Sequence, residues 1–124
     1  MNGDILADLE QVMGNPEEAG RARKKAIQLF LAYRRDGGEN HSSGGRLCLW
    51  FENALQKQPP EEIEKRLVEM ENDPKTSQPI KTLVSKLQIV LAGYFDTGLA
   101  EDPDLYYRDA AEFLFLLEKL TKRK

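Results

Sequence analysis

Apolar residues recur every three or four positions in several segments of the chain, and polar turns containing glycine or proline separate these segments. This spacing is typical of amphipathic helices. It predicts helices over Asp4 to Met13, Pro16 to Asp36, Arg46 to Lys57, Glu61 to Asn72, Ser77 to about Phe95, and Pro103 to Lys124. The sequence contains no alternating strand pattern, hairpin turn or internal repeat. We therefore expect an all-α fold, a single compact bundle of five to six helices in one domain covering residues 1–124.

The final predicted helix has the clearest core face. Asp102 can cap it and Pro103 suits its first position, while basic residues close its other end. The predicted core face consists of Tyr106, Ala110, Phe113, Leu114, Leu117 and Leu120. The predicted opposite face is polar and consists of Arg108, Glu112, Lys119 and Arg123.

Two apolar residues of this helix, Phe115 and Leu116, lie outside the predicted core face. A helix that is apolar on more than one side is buried on a second side. Either the helix lies at the centre of the domain, or Phe115 and Leu116 form a contact surface for a partner. The pattern alone leaves both interpretations open.

The second predicted helix combines an apolar stripe with a basic surface. The stripe, which we expect to be buried, consists of Ala22, Ala26, Leu29, Phe30 and Tyr33. The basic residues are Arg21, Arg23, Lys24, Lys25, Arg34 and Arg35, with no acidic residue between them. Of these, the residues that point away from the stripe are Arg21, Lys24, Lys25 and Arg35. This surface is either solvated or a contact for a phosphate backbone, which requires cations but no base-specific geometry.

The segment from Gly37 to Gly45 is rich in glycine, serine and asparagine and predicts a mobile loop. It lacks the Gly-Lys-Ser/Thr ending of a phosphate-binding loop. It contains His41, the single histidine of the chain. We expect this side chain to be solvated, because neither a cysteine nor a second histidine is near it.

The fourth predicted helix is strongly acidic, and Glu61, Glu62 and Glu69 belong to its acidic surface. Acids placed along a helix do not match the spacing of a calcium-binding loop. The surface is therefore either solvated or directed at a basic partner.

Composition excludes several classes of protein. The net charge is −3, so the total charge does not indicate nucleic-acid binding. No apolar window approaches the length of a membrane span, and the N-terminus lacks the layout of a signal peptide. The lone cysteine, Cys48, cannot form an internal disulfide and suits the reducing cytoplasm. We expect Cys48 and Trp50 to be core residues.

No group of residues in the sequence indicates catalysis. There is no second histidine, no cysteine pair and no Gly-x-Ser-x-Gly motif. Acids on exposed helix surfaces keep ordinary pKa values and do not act as general acids or bases. We therefore expect no catalytic residue, no metal site and no cofactor, which leaves a helical binding or assembly module.

The final helix also carries a recognisable pattern. Tyr106, Arg108, Glu112 and Leu114 form the pattern Tyr-x-Arg-x-x-x-Glu-x-Leu, which apolar residues, Glu118 and the pair Lys122 and Arg123 follow. This segment resembles the C-terminal signature of the small helical subunit of type III-B CRISPR effector complexes, the fifth Cmr subunit.

Two further stretches are compatible with that family in the same order. The basic-and-alanine pattern of its first core helix is similar to Arg21-Ala22 with Lys25-Ala26. Its glycine–leucine–phenylalanine–lysine helix is similar to Gly44, Leu49, Phe51 and Lys57. The chain departs from the family in having GGENHSSGG instead of a Leu-Pro step, and Trp50 instead of a small residue.

The resemblance implies a non-catalytic subunit that stacks along the guide RNA–target RNA duplex and contacts its phosphate backbone. The implied partners are the other effector subunits, the guide RNA and the target RNA, with self-association of the chain. The predicted RNA contacts are Arg21, Lys24, Lys25, Arg34, Arg35 and Arg108. The predicted subunit contacts are Phe115, Leu116, Glu61, Glu62 and Glu69. The alternative is a protein-binding module, such as a toxin-immunity protein or an assembly chaperone, whose acidic helix faces a basic partner.

Overall fold

The computed structural model of the chain describes residues 16–122, and the helix predicted at Asp4 to Met13 lies outside them. Within this range the chain forms five α-helices, one 3₁₀ helix and no strand. The α-helices are α1 (Pro16–Arg35), α2 (Ser43–Lys57), α3 (Pro60–Asn72), α4 (Gln78–Leu91) and α5 (Tyr107–Lys122), and the 3₁₀ helix is Thr97–Glu101. The predicted all-α bundle is confirmed. None of the helices in this range is both long enough and apolar enough to cross a bilayer.

Local sequence sets the ends of these helices. Beyond α1, Gly37 adopts a φ of 96°, which favours glycine, and its N–H donates to the carbonyl of Arg34 at 3.0 Å. Before α2, the Ser42 hydroxyl accepts a hydrogen bond from the Gly45 N–H at 3.2 Å. Pro60 occupies the first position of α3, where its missing N–H leaves no hydrogen bond unmade.

Helix α5 is the central element of the bundle. It packs mainly against α1 and α2 and also contacts the 3₁₀ helix and α4, while α3 packs against α4. The largest fully buried side chains come from α2 to α5 and from the segment before α5: Phe51, Ile63, Leu67, Leu83, Val84, Leu87, Leu105, Phe113 and Leu116. Burying each such side chain contributes about 1.5–3 kcal/mol. Neighbours on several sides of α5 account for an apolar surface wider than one stripe.

The loop between α1 and α2 is shorter than predicted. Ser43, Gly44 and Gly45 form the first turn of α2 instead of the end of the loop, and both glycines are buried. The reason is the cap from Ser42, together with the close approach of Asp109 to Gly44. The loop therefore spans residues 36–42.

Helix α5 begins at Tyr107 rather than at Pro103, and Asp102 does not cap it. Instead, Asp102 Oδ1 accepts from the Asp104 N–H at 2.9 Å, and its Oδ2 accepts from Lys86 Nζ at 2.7 Å. The Asp102 carbonyl also accepts from the Arg23 guanidinium at 2.9 Å. These bonds hold the turn before α5 to α1 and α4, and the bond from Lys86 lowers the pKa of Asp102.

Gly44 marks the tightest contact between α2 and α5, because a Cβ at this position would overlap the Asp109 carboxylate. We expect Gly44→Ala to lower the free energy of unfolding by about 1–3 kcal/mol, as overpacking usually does. The matched control is Gly20→Ala, since Gly20 lies in α1 with open space around it. This change should raise stability by about 0.5–1 kcal/mol. Urea denaturation of both variants measures the contrast, and equal effects would contradict the close contact.

Candidate nucleic-acid interface

The outer surface of α1 carries cations that are available to a ligand. Lys24 and Lys25 are exposed and form no ion pair with any residue in the range 16–122. Arg21 is also exposed, and its guanidinium lies 3.8 Å from the Glu18 carboxylate. Exposed pairs of this kind contribute only about 0–1 kcal/mol, so a phosphate can replace Glu18 at little cost. Arg21, Lys24 and Lys25 form what we call the α1 cationic cluster.

The two arginines at the end of α1, which are predicted RNA contacts, both form ion pairs with glutamates of α5. Arg34 Nε donates to Glu112 Oε2 at 2.5 Å, and Arg34 also donates to the Gly38 carbonyl at 2.6 Å. Arg35 Nε donates to both oxygens of Glu118 at 3.1 Å. This hydrogen bond raises the pKa of Arg35 and lowers that of Glu118. Arg34 is therefore held by a buried carboxylate of α5, whereas the Arg35–Glu118 pair is more exposed and, like the Arg21–Glu18 pair, contributes little.

Arg108 is held among aromatic rings instead of lying on the polar surface that the sequence predicts. Its Nε donates to the Tyr107 hydroxyl at 3.1 Å. Its guanidinium carbon lies 5.9 Å from the centroid of the Phe30 ring and 5.7 Å from that of Tyr107, within the range of cation–π attraction. The side chain is half-buried and belongs to the wall of a cavity.

This cavity has a volume of about 780 Å³ and opens between α1, the loop at residues 36–42 and the start of α5. It is lined by Ala26, Leu29, Phe30, Tyr33, Glu39, Asn40, His41, Ser42, Tyr107 and Arg108. Leu29 and Tyr33 were expected in the core, but they are 59% and 48% exposed. Ala22 and Ala26 are buried as predicted, and Ile27 and Leu31, which the predicted stripe leaves out, complete the core side of α1. The predicted stripe thus lies along one edge of the core side of α1, and Leu29, Phe30 and Tyr33 of this stripe line the cavity.

The aromatic residues of this cavity form a set that the sequence does not reveal. Phe30 and Tyr33 have ring centroids 5.4 Å apart, and Tyr107 lines the same cavity from α5. Tyr106, predicted in the core, is exposed, and its neighbour Tyr107 is buried in its place. The adjacent tyrosines are the only sequence signal for this set, and they do not indicate which one faces inward.

The predicted contact surface on α5 is largely enclosed. Leu116 is 1% exposed, so the prediction that it contacts a partner subunit is wrong. Phe115 is half-buried, and the charged ends of Arg34 and Lys119 lie 4.7 Å and 4.6 Å from its ring centroid. Arg34 reaches the ring from α1, and Lys119 reaches it from the next turn of α5 itself. Phe115 therefore offers little apolar surface.

The predicted acidic surface lies on α3. Glu61, Glu62 and Glu69 are all exposed. Glu69 pairs with Arg66 at 3.6 Å, whereas Glu61 and Glu62 have no ion pair within residues 16–122. This surface is accessible to a basic partner.

Three carboxylates are buried where α1, α2 and α5 meet, which corrects the prediction that Glu112 and Lys119 lie on an outer face. Glu52 accepts from Lys119 Nζ at 2.6 Å. Glu112 accepts from Arg34 and, at 3.0 Å, from the Asn40 amide. Burial, followed by the charge of Glu112, raises the pKa of Asp109 to about 6. The Arg34–Glu112 pair joins α1 to α5, and the Lys119–Glu52 pair joins α5 to α2.

Cys48 is not an activated nucleophile, and the described residues form no metal site. Cys48 lies in the core, and burial raises the pKa of its thiol so strongly that the thiol stays protonated. Among the residues from 16 to 122, no three histidine, cysteine or acidic side chains are placed to hold a metal ion. His41 lies on the loop, exposed, with its Nε2 3.0 Å from Glu39 Oε2.

Comparisons with models of protein families, with curated proteins and with solved structures found no match for this chain.

Proposed function

We propose that the chain is a non-catalytic small subunit of a type III CRISPR effector complex, which stacks along the guide RNA–target RNA duplex and contacts its phosphate backbone. The observation that carries this proposal is the α1 cationic cluster, an exposed group of positive charge on a protein of net charge −3. The pattern from Tyr106 to Leu114 supports the same family. The partners are then the other effector subunits and the two RNA strands, in the cytoplasm.

The small size of the α1 cationic cluster predicts that a single chain binds RNA weakly. Arg21 to Lys25 cover roughly 6 Å of helix axis, which is enough for two or three phosphates. Contacts this few give weak, sequence-independent binding that falls steeply with salt. A useful affinity therefore requires several copies, or neighbouring subunits, side by side along the duplex.

Reversing the charge of both free lysines should remove most of this binding. We expect the double variant Lys24→Glu, Lys25→Glu to weaken binding to a short RNA duplex at low salt. We also expect it to reduce the slope of log affinity against log salt by about 2, because two phosphate contacts are lost. Fluorescence anisotropy over a salt series measures both quantities.

The control is Lys57→Glu, Lys65→Glu, which makes the same change in charge on α2 and α3. Both lysines are exposed and form no ion pair within the described range. Circular dichroism checks that each variant remains helical. If both double variants lose binding equally, general charge governs the interaction and the cluster has no special role.

The accessible acids of α3 favour a second candidate, a protein-binding module such as a toxin-immunity protein or an assembly chaperone. Glu61, Glu62 and Glu64 project three carboxylates from one short helix, and none is paired within the described residues. Such a surface attracts a basic protein by complementary charge. If the chain captures one basic protein and no RNA from cells, this candidate is favoured over the first. The double variant Glu61→Lys, Glu62→Lys should then abolish the capture.

A further inference from the structure

The aromatic cavity is open to solvent and adjoins the α1 cationic cluster. Lys25, Leu29 and Tyr33 follow one another at four-residue intervals, so they lie along the same side of α1. Leu29 and Tyr33 form one wall of the cavity, and Lys25 lies one turn before them. A nucleic-acid strand whose phosphates contact Lys24 and Lys25 can thus place a neighbouring base in the cavity.

The Tyr33 ring is held in place before any ligand arrives. Its hydroxyl donates to the Glu39 carbonyl at 3.0 Å and accepts from the Glu39 N–H at 3.2 Å. The backbone of Gly38 lies against the ring, so closely that a Cβ at Gly38 would overlap ring atoms. The ring is nevertheless 48% exposed. A fixed and exposed ring loses little conformational entropy when a ligand stacks on it.

The remaining groups of the cavity suit a flat, partly polar ligand. Phe30 and Tyr107 add aromatic surface, and the Arg108 guanidinium adds a planar cation. The loop supplies the polar side chains of the lining, which are Glu39, Asn40, His41 and Ser42. Aromatic rings with arginine beside a cationic track are the groups that proteins use to hold the bases of single strands.

We propose that this cavity receives an unpaired base of single-stranded RNA, whose flanking phosphates lie on the α1 cationic cluster. The inference rests on the proposed function and extends it, because contact with a duplex backbone needs no aromatic cavity. It commits to an RNA strand with at least one unstacked base. A paired base is excluded, since both of its faces and its pairing edge are already occupied in the duplex.

The test uses the full chain and a short single-stranded RNA with one 2-aminopurine, compared with the same RNA in a duplex. Tyr33→Ala should weaken binding to the single strand by roughly 5- to 150-fold, the usual range for one aromatic stacking contact. It should also remove the fluorescence change of the 2-aminopurine and leave duplex binding unchanged. Tyr33→Phe keeps the ring and should retain most of the single-strand affinity.

A second variant keeps the test decisive if Tyr33→Ala disturbs the loop. Leu29→Gln removes apolar surface from the exposed cavity wall without changing charge, and its control is Leu49→Gln, an exposed leucine on α2. We expect Leu29→Gln to weaken single-strand binding and Leu49→Gln to have no effect. Unchanged single-strand affinity in both Tyr33→Ala and Leu29→Gln overturns the inference. The inference is also overturned if Tyr33→Ala and Leu29→Gln weaken duplex binding as much as single-strand binding. Full RNA binding by the Lys24→Glu, Lys25→Glu variant overturns the proposed function instead.

Discussion

Replacing Glu112 by alanine should lower the free energy of unfolding by about 3–5 kcal/mol, the cost of leaving a buried charge without its partner. Glu112 is 2% exposed and joins α5 to both α1 and the loop at residues 36–42. Its loss leaves the largely buried Arg34 guanidinium with the Gly38 carbonyl as its remaining described acceptor. It also frees the Asn40 amide that fixes the loop.

The chain offers a matched control for this prediction. Arg35 follows Arg34 directly, and its partner Glu118 lies on the same helix as Glu112. Arg35 and Glu118 are more exposed than Arg34 and Glu112, so we expect Glu118→Ala to cost at most about 1 kcal/mol. Urea denaturation at neutral pH gives both values. Similar losses from the two variants would show that the Glu112 carboxylate is not the anchor that its burial indicates.

Replacing both members of the Arg34–Glu112 pair tests whether its charges or its packing stabilise the fold. The double variant Arg34→Met, Glu112→Leu places apolar side chains of similar length in the same space. It should recover much of the stability that Glu112→Ala loses, because neither charge is left uncompensated. A double variant no more stable than Glu112→Ala would mean that the hydrogen bonds to the loop, not the ion pair, carry the energy.

Apolar spacing is sufficient to predict the five α-helices of residues 16–122, because each has an apolar stripe that the bundle buries and the turns between them contain glycine, proline or capping residues. The same reasoning misplaces Glu112 and Lys119. A carboxylate on a helix looks like a surface residue until a cation from a distant segment is known to meet it. Arg34 is 78 residues from Glu112, and no local pattern links the two.

Helical periodicity also limits prediction of the candidate interface. It identifies an apolar edge on α1 but not whether a neighbouring helix covers that edge. Leu29 and Tyr33 are apolar residues at helical spacing, and only the position of α5 leaves them in contact with solvent. The basic residues show the same limit, since Arg34 and Arg35 resemble Lys24 and Lys25 in sequence but meet glutamates of α5.

The buried Asp109 gives the protein an unusual dependence of stability on pH. Its pKa is raised to about 6 in the folded chain, against about 3.9 for an unfolded aspartate. Between these values the folded state holds the proton more tightly, so stability decreases as pH rises through this window. A difference of about two units corresponds to at most about 3 kcal/mol lost above pH 6. Because Asp109 lies against the first turn of α2, the positive end of that helix offsets part of this cost.

Asp109→Asn keeps the shape of the side chain without the charge, so it should remove this decrease. We expect the variant to match the wild type near pH 4 and to be more stable by up to about 3 kcal/mol above about pH 6. Asp102 and Glu118 do not interfere, because their pKa values are lowered and their contribution is lost only as pH falls below about 4. The measurement is urea denaturation from about pH 4 to about pH 7.5, with the exposed Asp104→Asn as the control that should keep the decrease. A gain that is equal at every pH would show that Asp109 destabilises the fold through its shape or hydrogen bonding, and not through the charge that burial opposes.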